Sequence, residues 1–135
     1  MFRISPIQDK AEQERVAKAC GAEYKEELFA YAMTEKDSGK IMGFSQFELT
    51  AECGFISDLR SAVGYEDYEA MFILGRATMN FIDLCGNHFC RASNDAGEER
   101  LLHAIGFRKA ESGYWECDMT GMFDGHCAGE KENLQ

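Results

Sequence analysis

Apolar and polar positions alternate along the first half of the chain and change to a helical period in the second half. Residues 2–7 read as a short strand. Asp9 followed by Glu12 forms a D-x-x-E capping box that opens a helix, and Gly21 closes it. The apolar positions of that helix, Ala11, Val16, Ala19 and Cys20, are small, so it is expected to cover the edge of a core rather than fill one. Leu28–Met33 is a continuous apolar run, Lys36, Asp37, Ser38 and Gly39 supply a turn, and Ile41–Leu49 is a second run, which together predict a hairpin. A third run after residues 50–53 places Phe55, Leu59 and Val63 on one face and Ile56, Asp58, Arg60 and Ala62 on the other.

From Glu66 onward Ala70, Ile73, Leu74, Ala77, Phe81, Leu84 and Cys85 recur at helical spacing, and Gly86 supplies the stop. His88–Ala92 is strand-like. Asn94 or Asp95 is expected to cap a helix carrying Leu101, Leu102 and Ile105, which Gly106 ends. Phe107–Ala110, a turn at 111–113 and Tyr114–Met119 give a closing hairpin, and residues 121–135 read as a loose polar tail. The order is strand, helix, three-strand meander, long helix, strand, helix, hairpin. It predicts one α+β domain over residues 1–135, with a mixed, mostly antiparallel sheet flanked by helices.

Composition narrows the function classes. Hydrophobic residues make up 45% of the 135, with ten Phe and one Pro, which excludes a disordered or Pro-rich chain. Twenty-four Asp and Glu against fourteen Lys and Arg give a net charge of -10, so nucleic acid and anionic membranes are not expected as partners. The six Cys have irregular spacing and no C-x-x-C pair, and no leader pattern is present, so a reducing, cytoplasmic setting is expected. Cys20, Cys53 and Cys85 adjoin apolar runs and read as small core residues. Cys117, His126 and Cys127 are of metal-ligating type, but their spacing fits no zinc pattern and no metal is expected.

The order of elements is similar to that of the GNAT N-acetyltransferase superfamily. The most specific local match is Asn94–Phe107: an Asn after the fifth strand, a short helix, and Gly106-Phe107. The likeness spans nearly the whole chain, with one helix before the second strand where two are common. It implies acetyl-CoA as cofactor, an amine on a small molecule or protein as acceptor, and a cleft between the fourth and fifth strands. It also implies a Q/R-x-x-G-x-G/A loop, where the pyrophosphate rests on free amides at the start of the long helix. The corresponding stretch here is Tyr65–Ala70, of which only Ala70 fits. Tyr65 stands in place of Arg or Gln and Tyr68 in place of Gly, while Glu66, Asp67 and Glu69 crowd the first turn. Acids there suit the helix dipole on their own account. They would oppose a pyrophosphate by roughly 1 to 4 kcal/mol per close pair. Acetyl-CoA binding is therefore expected to be weak, unconventional or absent, with Arg60 and Arg76 the cations nearest to offsetting the acids.

The likeness further implies a carboxylate base on or before the fourth strand, which selects Glu52 or Asp58. Asp58 lies between Ile56 and Leu59, where desolvation would disfavour its ionised form; facing solvent or pairing with Arg60 is the plainer alternative. The acid expected four residues before the Gly of Gly-Phe falls on Leu102, leaving Tyr65, Tyr68 or Tyr114 as substitutes. Asn94 corresponds to a cofactor-contacting Asn, a position that helix capping would equally select. Three readings result: an acetyltransferase acting on an amine, a non-catalytic module of the same fold that binds a small ligand or protein partner, and a homodimer formed through Tyr114 and Trp115.

Overall fold

The computed structural model describes residues 1–124. The elements are β1 (Phe2–Pro6), α1 (Lys10–Ala19), β2 (Phe29–Glu35), β3 (Ile41–Leu49), β4 (Gly54–Ser61), α2 (Tyr68–Leu84), β5 (Phe89–Ala92), α3 (Glu99–Ile105), β6 (Arg108–Lys109) and β7 (Trp115–Asp118). They match the expected order. The seven strands form one sheet in the order β1-β2-β3-β4-β5-β7-β6, antiparallel throughout except where β4 and β5 run parallel. A parallel neighbour needs a crossover, and α2 provides it.

α2 and α3 lie on one face of the sheet and α1 on the other, so the apolar side chains divide into two layers. The larger joins Phe47, Ile56 and Leu59 of the sheet to Leu74 and Ile82 of α2 and to Leu102 and Ile105 of α3. The smaller gathers Val16, Ala17 and Cys20 of α1 against Ala30, Ala32, Phe44 and Ala62. Of the positions the pattern predicted, Val16 and Cys20 do cover one patch of sheet, joined by Ala17, whereas Ala11 is exposed. α2 seats closely because Gly54 has no side chain: a Cβ there would lie 2.3 Å from Ile82 Cγ2.

Strict alternation fails in β4. Gln46 faces Asp58 while Phe47 faces Ile56, so Ser57 is an unpaired bulge residue. The bulge turns Ile56 and Leu59 to the same side, both within the α2 layer, and directs Asp58 to the α1 side. A period of two could not place these three residues correctly, and the expected separation of Ile56 from Leu59 is corrected.

Four other expectations are revised. Glu12 does not complete a capping box: Asp9 accepts the Ala11 amide, and Glu12 pairs with Arg15. Neither Asn94 nor Asp95 caps α3, which starts later, after Glu98. Cys85 is exposed at the end of α2, unlike buried Cys20 and Cys53. Residues 121–124, read from sequence as the beginning of a loose tail, form a turn whose Met122 and Phe123 pack on the main core. His126 and Cys127 lie outside the described residues. Among the described residues no helix is long and apolar enough to cross a membrane.

Candidate functional site

β4 and β5 are paired only through Gly54–Cys90, Phe55–Arg91 and Ile56–Ala92. Beyond that point β4 continues to Ser61, whereas β5 ends. The chain after β5 does not leave the edge of β4 open. Ser93 donates its amide to the Ile56 carbonyl at 2.9 Å, and the Leu59 amide donates to the Ala96 carbonyl at 2.7 Å. Gly97 then presses on β4 so closely that a Cβ would stand 2.5 Å from the Leu59 carbonyl oxygen. Only glycine permits that approach.

In front of this closure lies a cleft of about 660 Å³ between the end of β4, the start of α2 and the start of α3. Its walls include Arg60, Asp67, Tyr68, Asp95, Glu98 and Arg100. Tyr68 links two of these walls. Its hydroxyl donates to the Arg100 carbonyl at 3.5 Å, and the Arg100 guanidinium lies 4.3 Å from its ring centroid, a cation–π contact joining α2 to α3. Asp67 caps α2 by accepting the Ala70 amide at 3.0 Å. Arg60 donates to the Asp95 carbonyl at 2.6 Å and reaches Asp58 at 3.4 Å. The Ser93 hydroxyl, 2.6 Å from Asp95, holds the Asp95 carboxyl below the usual range. Cys20 also lines the cleft, and burial pushes its thiol up to about 12, so it is a neutral group there.

Asp58 is buried on the α1 side of the sheet, at 3% exposure. Its Oδ2 accepts from Lys25 Nζ at 2.9 Å and Gln46 Nε2 at 2.8 Å. Gln46 also donates to the Glu23 carbonyl, and its Oε1 accepts from the Lys25 amide and from Gln13 Nε2. Gln13 in turn donates to the carbonyls of Lys25 and Leu28. Each buried side-chain polar atom of Gln13, Gln46 and Asp58 has a partner, as a low-dielectric interior requires. The result is a clasp that fixes the 20–28 loop to β3 and β4, with the Asp58 charge balanced by Lys25 and Arg60. Gln13, Lys25 and Gln46 were not singled out from sequence. The signal for Gln46 was an amide inside an apolar strand, while Lys25 sits in a loop where no period exists.

The remaining sequence-derived residues do not converge on the cleft. Glu52 is exposed in the turn before β4, at the other end of that strand from Arg60. Asn94 is exposed in a turn. Arg76 donates to the Ile105 carbonyl and lies over Phe72. Leu102 is fully buried. Tyr65 packs by both core layers, and Tyr114 lies against Phe55. Trp115 is in the core while Tyr114 is partly exposed.

The fold has solved counterparts. An assigned acetyltransferase of the GNAT family from Desulfovibrio desulfuricans superposes with a TM-score of 0.67 at 14% identity, over 88% of this chain and 99% of that one. The chain has the GNAT fold. The ribosomal-protein-S18-alanine N-acetyltransferase from Escherichia coli gives 0.63 at 14% identity over 86% and 89%. The PaiA N-acetyltransferase from Thermoplasma acidophilum, solved in complex with coenzyme A, gives 0.63 at 12% over 86% and 96%. No family model matches the sequence, and no curated protein matches it either.

Within this GNAT fold the loop that the resemblance implied for a coenzyme A pyrophosphate falls on Tyr65–Ala70, at the start of α2. The Ala70 amide is already bonded to Asp67, and Tyr68, where a glycine was implied, lines the cleft and donates to the Arg100 carbonyl. The nearest cations, Arg60 and Arg100, are engaged by Asp58, the Asp95 carbonyl and Tyr68.

Proposed function

We propose that this chain is a non-catalytic GNAT-fold module that binds a small ligand or a protein partner. The observation that carries the reading is the closure of β4 by the chain itself: Ala96 takes the Leu59 amide, and Gly97 fills the space alongside. A cofactor arm laid between β4 and β5 would have to displace these contacts. Three losses point the same way. The phosphate-loop glycine is Tyr68, the tyrosine acid is buried Leu102, and the carboxylate on β4 is held by two cations.

The second reading is an N-acetyltransferase using acetyl-CoA by an unconventional grip. It is favoured by the cleft itself, which lies where β4 runs past β5 and keeps Arg60 and Arg100 in its wall. Thermal denaturation with acetyl-CoA and with CoA separates the two. A cofactor present at a hundred times its Kd would raise stability by about 2.7 kcal/mol. The module reading expects no shift at millimolar cofactor, and a saturable rise together with release of free CoA from acetyl-CoA in the presence of an amine would replace it with the enzyme reading.

A further inference from the structure

A second concavity, of about 530 Å³, lies away from the cleft and shares no residue with it. Its lining includes Glu48, Thr50, Glu52, Phe55, Arg91 and Tyr114. Strand register explains how these groups meet. Glu48 pairs with Phe55, Phe55 with Arg91, and Arg91 with Glu116, so one row crosses β3, β4, β5 and β7. The neighbouring positions Gly54, Ile56, Cys90 and Trp115 face α2, which puts the row on the opposite side of the sheet. α1 covers that side only near Ala30, Ala32, Phe44 and Ala62. Around Phe55 and Arg91 the described residues place no helix over the sheet.

The chemistry of the row is asymmetric. Arg91 is satisfied within it: it pairs with Glu116 at 3.0 Å and lies 5.8 Å from the Tyr114 ring centroid. Glu116 also accepts from Ser112. Glu48 and Glu52 form no ion pair among the described residues, and the cross-strand neighbour of Glu48 is an aromatic ring. Phe55 and Tyr114 meet edge to face at 5.5 Å, and Tyr114 is 39% exposed. An aromatic wall beside uncompensated carboxylates attracts a cation through ring quadrupole and charge together. An anion would find the one lining guanidinium already paired.

We propose that this groove binds a small organic ammonium, a protonated amine bearing a flat apolar group. The apolar group packs on Phe55 and Tyr114, and the ammonium faces Glu48 and Glu52. The site is separate from the cleft, so the inference stands whichever reading of the cleft holds.

Three probes with one skeleton test it: phenethylammonium, the neutral 2-phenylethanol and the anionic phenylacetate, titrated into the ¹⁵N-labelled full chain. The ammonium is expected to move the amide signals of Phe55, Arg91 and Tyr114 and to saturate at roughly threefold to tenfold lower concentration than the alcohol. Phenylacetate should bind worst. A Glu48→Gln, Glu52→Gln double variant should erase the preference for ammonium while leaving the alcohol unchanged, and Tyr114→Ala should weaken both. Equal response to all three probes, a preference for phenylacetate, no saturable shift, or shifts confined to Arg60, Tyr68 and Arg100 would each overturn the assignment.

Discussion

The carboxylate of Asp67 holds the amide of Ala70 at 3.0 Å, so a donor at the start of α2 is satisfied within the chain. The same hydrogen bond accounts for two facts at once. It starts a 17-residue helix, and it puts a negative charge where the resemblance implied a pyrophosphate. Asp67→Ala should therefore lower stability by about 1 kcal/mol, while Asp67→Asn, which still caps, should cost only a few tenths. Urea denaturation at neutral pH measures both. A combined Glu66→Gln, Asp67→Asn, Glu69→Gln variant removes the charge and keeps the cap. With β4 still closed by residues 93–97, this variant should remain unresponsive to CoA in thermal denaturation. A response would show that charge alone had excluded the cofactor.

Closure of β4 depends on Gly97. The atom that a Cβ would meet is the Leu59 carbonyl oxygen, part of the backbone, which cannot rotate away as a side chain could. Gly97→Ala should cost about 1 to 3 kcal/mol, the usual range for overpacking. It should also loosen the Leu59–Ala96 hydrogen bond. Hydrogen exchange at the Leu59 amide provides the specific readout: faster exchange in the variant, with the amides of β2 and β3 unchanged. Unaltered protection at Leu59 would mean that the 93–97 segment does not seal the strand.

The contrast between Leu102 and Asp58 shows what could be read before the structure was known. Leu102 belongs to a helical period, and a period fixes burial, so its place in the core and its unfitness as an acid were both legible. The order of elements along the chain was also legible, from apolar runs and from turns marked by glycine, whereas the order of strands in the sheet was not. Asp58 lies one residue beyond a bulge, and bulges leave no periodic trace. Its pairing with Arg60, two residues on, was legible, but Lys25 and Gln46 were not, since they come from a loop and another strand far away in sequence. The closure by Ala96 and Gly97 was hidden for a similar reason. A glycine after a strand signals a turn, not the strand it will press against.

The Asp58 clasp should matter to stability rather than to proton transfer. Removing Asp58 leaves Lys25 and Arg60 facing each other without a counter-charge, and it takes a partner from Gln46. Fully buried pairs cost about 3 to 5 kcal/mol when one member is removed. Here the Lys25 and Arg60 side chains keep 29% and 35% exposure, so Asp58→Ala should cost closer to about 2 kcal/mol. A double-mutant cycle with Lys25→Ala should give a coupling of about 1 kcal/mol. Independent, additive effects would mean that the loop at 20–28 is held by Gln46 and Gln13 without help from the ion pair.

The pH dependence of stability should carry a trace of the turn that follows β5. The Ser93 hydroxyl lies 2.6 Å from the Asp95 carboxylate and is the chief cause of its lowered pKa. A group whose folded pKa is depressed stabilises the fold wherever both states are ionised, above the ordinary aspartate value of about 4. That contribution is lost as pH falls through the lower, folded value. Ser93→Ala removes the hydrogen bond and brings the Asp95 pKa back toward its ordinary value. Wild type should therefore exceed the variant in stability at pH 7, and the difference should shrink steadily below about pH 4. Because Asp95 is mostly solvated, added salt should barely alter a difference that arises from a short hydrogen bond rather than from distant charge. Urea denaturation of both proteins between pH 2.5 and pH 7, about the range over which the carboxylate titrates, measures this directly. A gap that stays constant to the acid end would assign the Ser93 contribution to packing of the turn instead.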